Sequence, residues 1–418
     1  MPDMKHDVIV LGAGMVGVSC ALHLQRRGLS VALVDRRAPG LETSFGNSGL
    51  VQFEATEPYE LPRDLGFLIS GAMNRRIDVR YHLDAVLQLA GPLFSYFVQS
   101  APKRHAEISR EYKTLIARSI ETHAELIEQA DAEELIAGKG YLTLFRTERE
   151  LHKFFEKADA RAKLGVSHLK LTAADVAKAE PHLKREFAGA IQWTDPLAIK
   201  SPGDLVQAYA RLFEKEGGQV LLGDAKSLTR LRPDAWRITL NDRSTVEGEK
   251  VVIALGPWST ELTSRFGYRP PMFAKRGYHM HYARQDDRPL NNWVIDAEMG
   301  YVVCPMKAGL RLTTGAELAH VDATRTPSQL ANAEAIARDV FPLGDRLDAE
   351  PWMGARPCMP DMKPVFGRIP GQDGMWCAFG HGHQGFTLGP VTGELLAAQM
   401  TGANPRIDVA PFSPARFA

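Results

Sequence analysis

Residues 6–35, HDVIVLGAGMVGVSCALHLQRRGLSVALVD, constrain the fold of this chain more than any other stretch. Val8, Ile9, Val10 and Leu11 make a short, β-branched run of the kind buried on both faces of a parallel sheet. Gly12, Gly14 and Gly17 follow at GxGxxG spacing, with Ala13 and Met15 completing the turn. Gly12 permits the tight turn, Gly14 lets backbone approach a pyrophosphate, and Gly17 lets the next helix lie close to the sheet. That helix, expected over 15–27, turns its free N–H groups and the positive end of its dipole toward the anion. A second strand over 31–34 ends at Asp35, about 20 residues beyond the glycines, where an acid takes the hydroxyls of an adenosine ribose. Strand, glycine turn, helix and acid-ended strand together define a dinucleotide site, without choosing between NAD and FAD. Arg36 and Arg37 would suit a 2′-phosphate, which Asp35 disfavours.

The chain has 418 residues, enough for two intertwined domains or one large α/β body with insertions. Fifty basic residues balance fifty acidic ones, so no net positive charge calls for nucleic acid. Cys20, Cys304, Cys358 and Cys377 form no CxxC pair, which suggests neither a metal site nor a disulfide framework and fits a reducing, cytoplasmic compartment. The first strand begins almost at once, leaving no room for a cleavable leader. The most apolar stretch, 83–102, is interrupted by Asp84, Gln88 and Pro92. It predicts a buried or amphipathic helix pair, with peripheral contact to a membrane kept open.

After Asp35, the loop APGLETSFGNSGLVQ is long for a connector and rich in glycine. Thr43, Ser44 and Asn47 offer hydroxyl and amide partners, while Gly46 and Gly49 let backbone pass close to a flat ligand. From 61 to about 183 the pattern is amphipathic helix, clearest over 104–130. His105, His123 and His152 lie among charged positions there and are expected to be exposed. A strand over 140–145 and a helix over 151–164 follow. From Gly189 a sheet pattern resumes, with a helix over 202–216, a strand leading to Asp224 and Ala225, and a strand over 251–255 ending at Gly256. Alternating segments over 272–314 predict a second, largely antiparallel sheet, followed by a helix over 327–341. The chain closes with the loop HGHQGF and a helix over 387–400. The fold class expected is α/β: a Rossmann-like dinucleotide-binding domain from 1–60, 189–270 and 350–418, and a mostly antiparallel-sheet substrate domain with a helical insert from 61–188 and 271–349.

GAGMVG, TSFGNSG, VVIALGPWS and the closing pair ARPCMPDMKPVFGR and GHGHQGFTLGPVTGELLA together resemble the FAD-dependent D-amino acid oxidase and dehydrogenase superfamily, above all its bacterial D-amino acid dehydrogenases. The resemblance spans nearly the whole chain. Asp35 stands where glutamate is commoner, and Gly46 and Ser48 where alanine is usual; the carboxylate and the small residues are kept. The resemblance implies an extended FAD. Its adenosine would lie at Asp35, Arg36 and the backbone of Ala225, and its pyrophosphate at 12–17. Its ribityl chain and ring would lie beside Ser44, Asn47, Gly49 and Leu50, with Gly256 a second strand end against the dinucleotide. Gly385, Phe386 and Thr387, at the start of the closing helix, would point N–H groups at the pyrimidine end of the flavin, where negative charge collects on reduction.

The implied reaction moves hydride from an α-carbon to the flavin, leaving an imine that water hydrolyses to a 2-oxo acid. The protein's share is geometric. Arg356, in a GxRP context, is the candidate for a bidentate clamp on the substrate carboxylate. Tyr278 and Tyr301 could add hydroxyl contacts or pack in the core. His381 and His383 flank Gly382 and could bond the flavin, act as a base, or pack the loop. Cys358 would be the residue for covalent flavin attachment, but noncovalent binding is expected. Two rival readings remain: a dehydrogenase of secondary amine acids such as D-hydroxyproline, D-proline or N-methyl amino acids, and a non-catalytic electron-relay subunit. An NAD-dependent dehydrogenase would not need the closing loop. The amino acid substrate and the acceptor, oxygen or a quinone, are the partners implied.

Overall fold

The computed structural model describes residues 4–64, 79–285 and 287–418; part of the expected helical insert, 65–78, lies outside the described residues. Among the described residues, the fingerprint strand Met4–Leu11 sits centrally in an eight-stranded sheet, in parallel register with Val31–Asp35 on one side and Thr245–Ile253 on the other. Gln219–Leu222 extends it beyond Asp35, and Met375–Phe379 beyond Ile253, both in parallel. Val8, Ile9, Val10 and Leu11 are fully buried, as a strand covered on both faces requires.

The fingerprint helix Met15–Arg26 lies on this sheet and packs along the closing helix Gly385–Met400. The contact is close because Gly389 and Gly393 lack side chains: a Cβ there would come within 2.6 Å of the Met15 side chain and 2.5 Å of the Ser19 backbone. Two helix N-termini are thereby brought to the same side of the sheet.

The second sheet has eleven strands among the described residues and is mostly antiparallel. Phe273–Tyr282 pairs with Gly309–Thr313, Ala316–Leu318 and Trp352–Cys358. This sheet also takes in Gly189–Ile199, paired with Ile136–Phe145. Strands 189–199 and 352–358 therefore pair outside the nucleotide sheet to which sequence order assigns them. A run of alternating residues reports a strand, not the sheet it joins.

The insert contains Leu83–Gln88, Ala90–Gln99, Pro102–Ile116 and Ser119–Gln129. The single helix expected over 104–130 is thus two, broken at Ala117 and Arg118. His152 is exposed, but His105 bonds the Pro58 carbonyl at 2.9 Å and His123 is wholly buried. His123 lies between the Tyr209 hydroxyl, 3.0 Å away, and the Phe386 carbonyl, 2.9 Å away, where burial pushes its pKa down to about 4. Charged sequence neighbours misled here because they occupy the other face of the helix. Among the described residues no helix is long and apolar enough to cross a membrane.

Candidate active site

A cavity of about 650 Å³ runs along the carboxyl ends of the nucleotide-sheet strands and onto the second sheet. Gly12, Gly14, Met15, Asp35, Arg36, Ser44, Asn47, Leu50, Ala225, Gly256, His381, Gly382, Gly385 and Phe386 all line it. Fourteen residues of the fingerprint and loops, far apart in sequence, thus meet at one surface with Arg356 at its far end.

At the adenosine end, Asp35 accepts from the Ala13 N–H at 2.6 Å and the Arg37 N–H at 3.1 Å, fixing the carboxylate at the strand end. Arg36 lies over the Trp258 ring, 4.5 Å from its centroid, and both Arg36 and Arg37 pair with Glu42 at 2.9 and 3.2 Å. That pairing spends the charge a 2′-phosphate would need. In the turn, Gly12 has φ +107° and a Cβ would meet the Ala254 carbonyl oxygen at 2.4 Å. A Cβ on Gly17 would lie 1.7 Å from the Gly12 carbonyl oxygen, so Gly17 shapes the turn from behind. Gly14 differs: its added Cβ meets only the Ser44 hydroxyl, at 3.3 Å, and otherwise projects into open space. Gly14 at the helix start has no side chain to cap it, and the Ser44 hydroxyl accepts from the Met15 N–H at 3.0 Å. A helix N-terminus behind a bare glycine, with a serine hydroxyl beside it, fits a pyrophosphate.

The loop after Asp35 is held by its own backbone. Arg311, buried, donates to the carbonyls of Phe45 and Asn47, and the Trp293 indole donates to that of Ser48 at 2.7 Å. Asn47 turns its side-chain oxygen to the Gly49 N–H at 2.8 Å, and Gly49, with φ +75°, passes tightly against Ile199. Gly46 faces the Trp352 indole, which a Cβ would overlap at 1.8 Å; glycine rather than alanine is therefore required there. Thr387 bonds the Gln52 N–H and Leu50 carbonyl, fastening the loop to the closing helix from outside the cavity wall. The closing helix start is uncapped by any side chain and opens on the cavity at Gly385 and Phe386. Its positive end fits a ring system that gains negative charge on reduction.

Three residues whose roles the sequence leaves open turn their polar atoms toward other groups. Tyr278 is among the residues of the cavity wall, but its hydroxyl is committed, donating to Glu317 at 2.9 Å and accepting from the Thr326 N–H at 2.9 Å. Tyr301 packs in the core beside the Arg146–Asp296 pair, while its neighbour Val302 lines the cavity. Both follow from strand alternation, which turns every second side chain to the far face. The His381 ring bonds Thr392 at 3.0 Å, inside the closing helix, and burial pushes its pKa down to about 3. His383 instead faces the Tyr59 ring, centroids 4.7 Å apart.

Arg356 reaches the cavity by lying over Gly277, where a Cβ would come within 2.7 Å of its guanidinium. Its recorded hydrogen bonds are to the carbonyls of Arg276, at 3.4 Å, and Gly315, at 3.0 Å. Among the described residues no carboxylate forms an ion pair with it. Its cross-strand partner Lys275 also lines the cavity and donates to the Tyr96 hydroxyl at 3.0 Å. Lys275, Tyr59, Trp258 and Trp352 were not among the residues singled out from sequence. The bare Gly277, two positions after Lys275 on the same strand face, is the signal that could have found the lysine.

Two sheets, a shared cavity and two helix N-termini that open on it define an FAD-dependent oxidoreductase. The chain belongs to the FAD dependent oxidoreductase family, whose model matches residues 7–399. It is similar to a D-amino acid dehydrogenase of Chromohalobacter salexigens, 28% identical across 99% of this chain and 100% of that one. A D-amino-acid oxidase of Bradyrhizobium diazoefficiens is also 28% identical, across the whole of both chains. Among solved structures, glycine oxidase from Geobacillus kaustophilus shares the fold with a TM-score of 0.74 at 22% identity, covering 99% of this chain and 100% of that one.

Proposed function

We propose that this chain oxidises the C–N bond of a D-amino acid, held by Arg356 at the second-sheet end of the cavity. FAD supplies the hydride acceptor, and water hydrolyses the resulting imine to a 2-oxo acid and ammonia. The observation that carries the reading is the state of Arg356. Its strand neighbour Arg276 shows what a structural arginine looks like here: fully buried, paired with Glu317 at 2.7 Å and bonded to three carbonyls. Arg356 is partly buried on the cavity wall and lacks such a carboxylate, and a cation withdrawn from water is costly unless a ligand completes it. A substrate carboxylate supplies the planar, bidentate partner that a guanidinium prefers. The relatives named D-amino acid dehydrogenase and D-amino-acid oxidase support the choice of substrate.

The test is anaerobic mixing of the holoprotein with a panel of D- and L-amino acids, prolines and N-methyl amino acids. Bleaching of the flavin by D-amino acids supports the reading; bleaching by the cyclic or N-methyl compounds alone transfers it to secondary amines. If no amine bleaches the flavin, the electron-relay reading takes its place.

A peripheral membrane contact, which would suit a quinone acceptor, has one observation in its favour. Leu87, Phe94 and Val98, on adjoining helices of which the second also carries the cavity-lining Leu93 and Tyr96, are 78%, 69% and 44% exposed. Co-sedimentation with anionic vesicles, lost in Leu87→Ser/Phe94→Ser, tests it; oxygen is the acceptor to test if the wild type does not bind.

A further inference from the structure

We propose that the cavity is built for an amine substrate carrying two carboxylates, with Arg356 taking the α-carboxylate and Lys275 the second one. The inference rests on the amino acid reading above and adds the substrate class. Lys275 and Arg356 are directly opposed in the antiparallel pair Phe273–Tyr282 and Trp352–Cys358, so their side chains leave the same face of the sheet. Gly277, next on that face, leaves the space into which Arg356 leans. On the opposite face of the same strand, Arg276 is fully neutralised by Glu317. The fold pairs one cation of this strand with a carboxylate and leaves its neighbour, Lys275, without one among the described residues.

Lys275 has three N–H donors and one recorded acceptor, the Tyr96 hydroxyl; its other contacts are the faces of Tyr96 and Phe273, 4.4 and 5.6 Å from the ring centroids. Tyr96 in turn donates to the Tyr59 carbonyl, so its hydrogen is committed and its oxygen faces the ammonium. Burial works against the Lys275 charge, while the hydrogen bond to the Tyr96 oxygen favours it. His383 cannot offset the two cations: burial, then Arg356 and Lys275, hold it well below the usual histidine range and therefore neutral. Glu60 is the acidic residue on this part of the wall, and it is half exposed, 3.9 Å from His105. A substrate with one carboxylate would neutralise Arg356 and leave Lys275 as a desolvated charge. A second carboxylate completes both, and acidic amino acids and N-carboxymethyl amino acids have that chemistry.

The experiment compares D-aspartate, D-glutamate and iminodiacetate with their half-amides in anaerobic flavin reduction, for wild type, Lys275→Met and Lys275→Arg. In parallel, calorimetry measures binding of glutarate and its half-amide, which need no turnover. The proposal expects the diacid to exceed the half-amide by about tenfold or more in kcat/KM and in affinity. It expects that ratio to fall to about one in Lys275→Met and to survive in Lys275→Arg. Half-amides used as well as diacids by the wild type, or a Lys275→Met variant that slows both equally, would overturn it. If no amine reduces the flavin but glutarate still binds in a Lys275-dependent way, the two-carboxylate site stands and the amine-oxidation reading falls.

Discussion

Arg311 donates one guanidinium N–H to the carbonyl of Asn47 at 2.7 Å, and through this bond the second sheet holds the loop that lines the cavity. The same nitrogen reaches the Phe45 carbonyl at 2.8 Å, and Arg311 Nε–H donates to His281 Nε2 at 3.0 Å. His281 must then be neutral with its proton on Nδ1, donated to Asp348 at 2.8 Å. Hydrogen bonds from a charged donor contribute about 1.5–3 kcal/mol each, so Arg311→Met should weaken FAD binding by roughly tenfold to a hundredfold. His281→Ala should act in the same direction with a smaller effect. Titration of apoprotein with FAD, followed by flavin fluorescence, checks this; unchanged affinity in Arg311→Met would mean the loop holds its shape without the arginine.

The glycines of the fingerprint separate folding from binding. A Cβ on Gly17 strikes the Gly12 carbonyl oxygen, whereas one on Gly14 meets only the end of the Ser44 side chain. Gly17→Ala should therefore lower the Tm of the apoprotein, at a cost of about 1–3 kcal/mol or more. Gly14→Ala should leave that Tm nearly unchanged and reduce FAD affinity by at least about tenfold, equivalent to about 1.4 kcal/mol. Equal loss of apoprotein stability in both variants would contradict the distinction.

Much of this site was legible in sequence because its parts are local motifs: a strand, a glycine turn and an acid at fixed spacing leave few alternatives. What was not legible depends on parity and on distant partners. Tyr278 and Lys275 lie three residues apart on one strand, hence on opposite faces, and the sequence alone does not say which face meets the cavity. His123 looks exposed among charges until Tyr209 and Phe386 close over it. Gly46 reads as a departure from the family pattern until Trp352, some three hundred residues on, is seen to fill the space.

His123 gives a pH dependence. Its folded pKa is lowered to about 4, while the unfolded chain titrates near 6.5. Below pH 6.5 the unfolded state takes up a proton that the folded state refuses, so stability is full above pH 6.5 and declines as pH falls toward 4. The full difference is on the order of 3 kcal/mol. Urea midpoints between pH 7.5 and 5 should fall more steeply for wild type than for His123→Gln; parallel slopes would show that His123 does not set the acid limb.

Cys358 lies behind Gly382, 3.8 Å from where a Cβ would stand, and burial raises its pKa, which disfavours the reactive thiolate. The flavin should therefore be released to the supernatant on acid precipitation. Yellow colour retained in the pellet, and lost in Cys358→Ser, would show a covalent link.

The central claim is that Arg356 holds the substrate carboxylate, and the most direct measurement compares an amino acid with its α-amide in wild type, Arg356→Lys and Arg356→Ala. Lysine keeps the charge but loses the fork, and alanine loses both. For Arg356→Ala the account predicts a loss of about 2–5 kcal/mol in transition-state binding, roughly 30-fold to several-thousand-fold in kcat/KM, for the acid. The loss should be much smaller for the amide, which has no carboxylate to hold, and FAD content should stay near normal. Equal loss for acid and amide, or loss of FAD ahead of activity, would make Arg356 a structural residue and contradict the account.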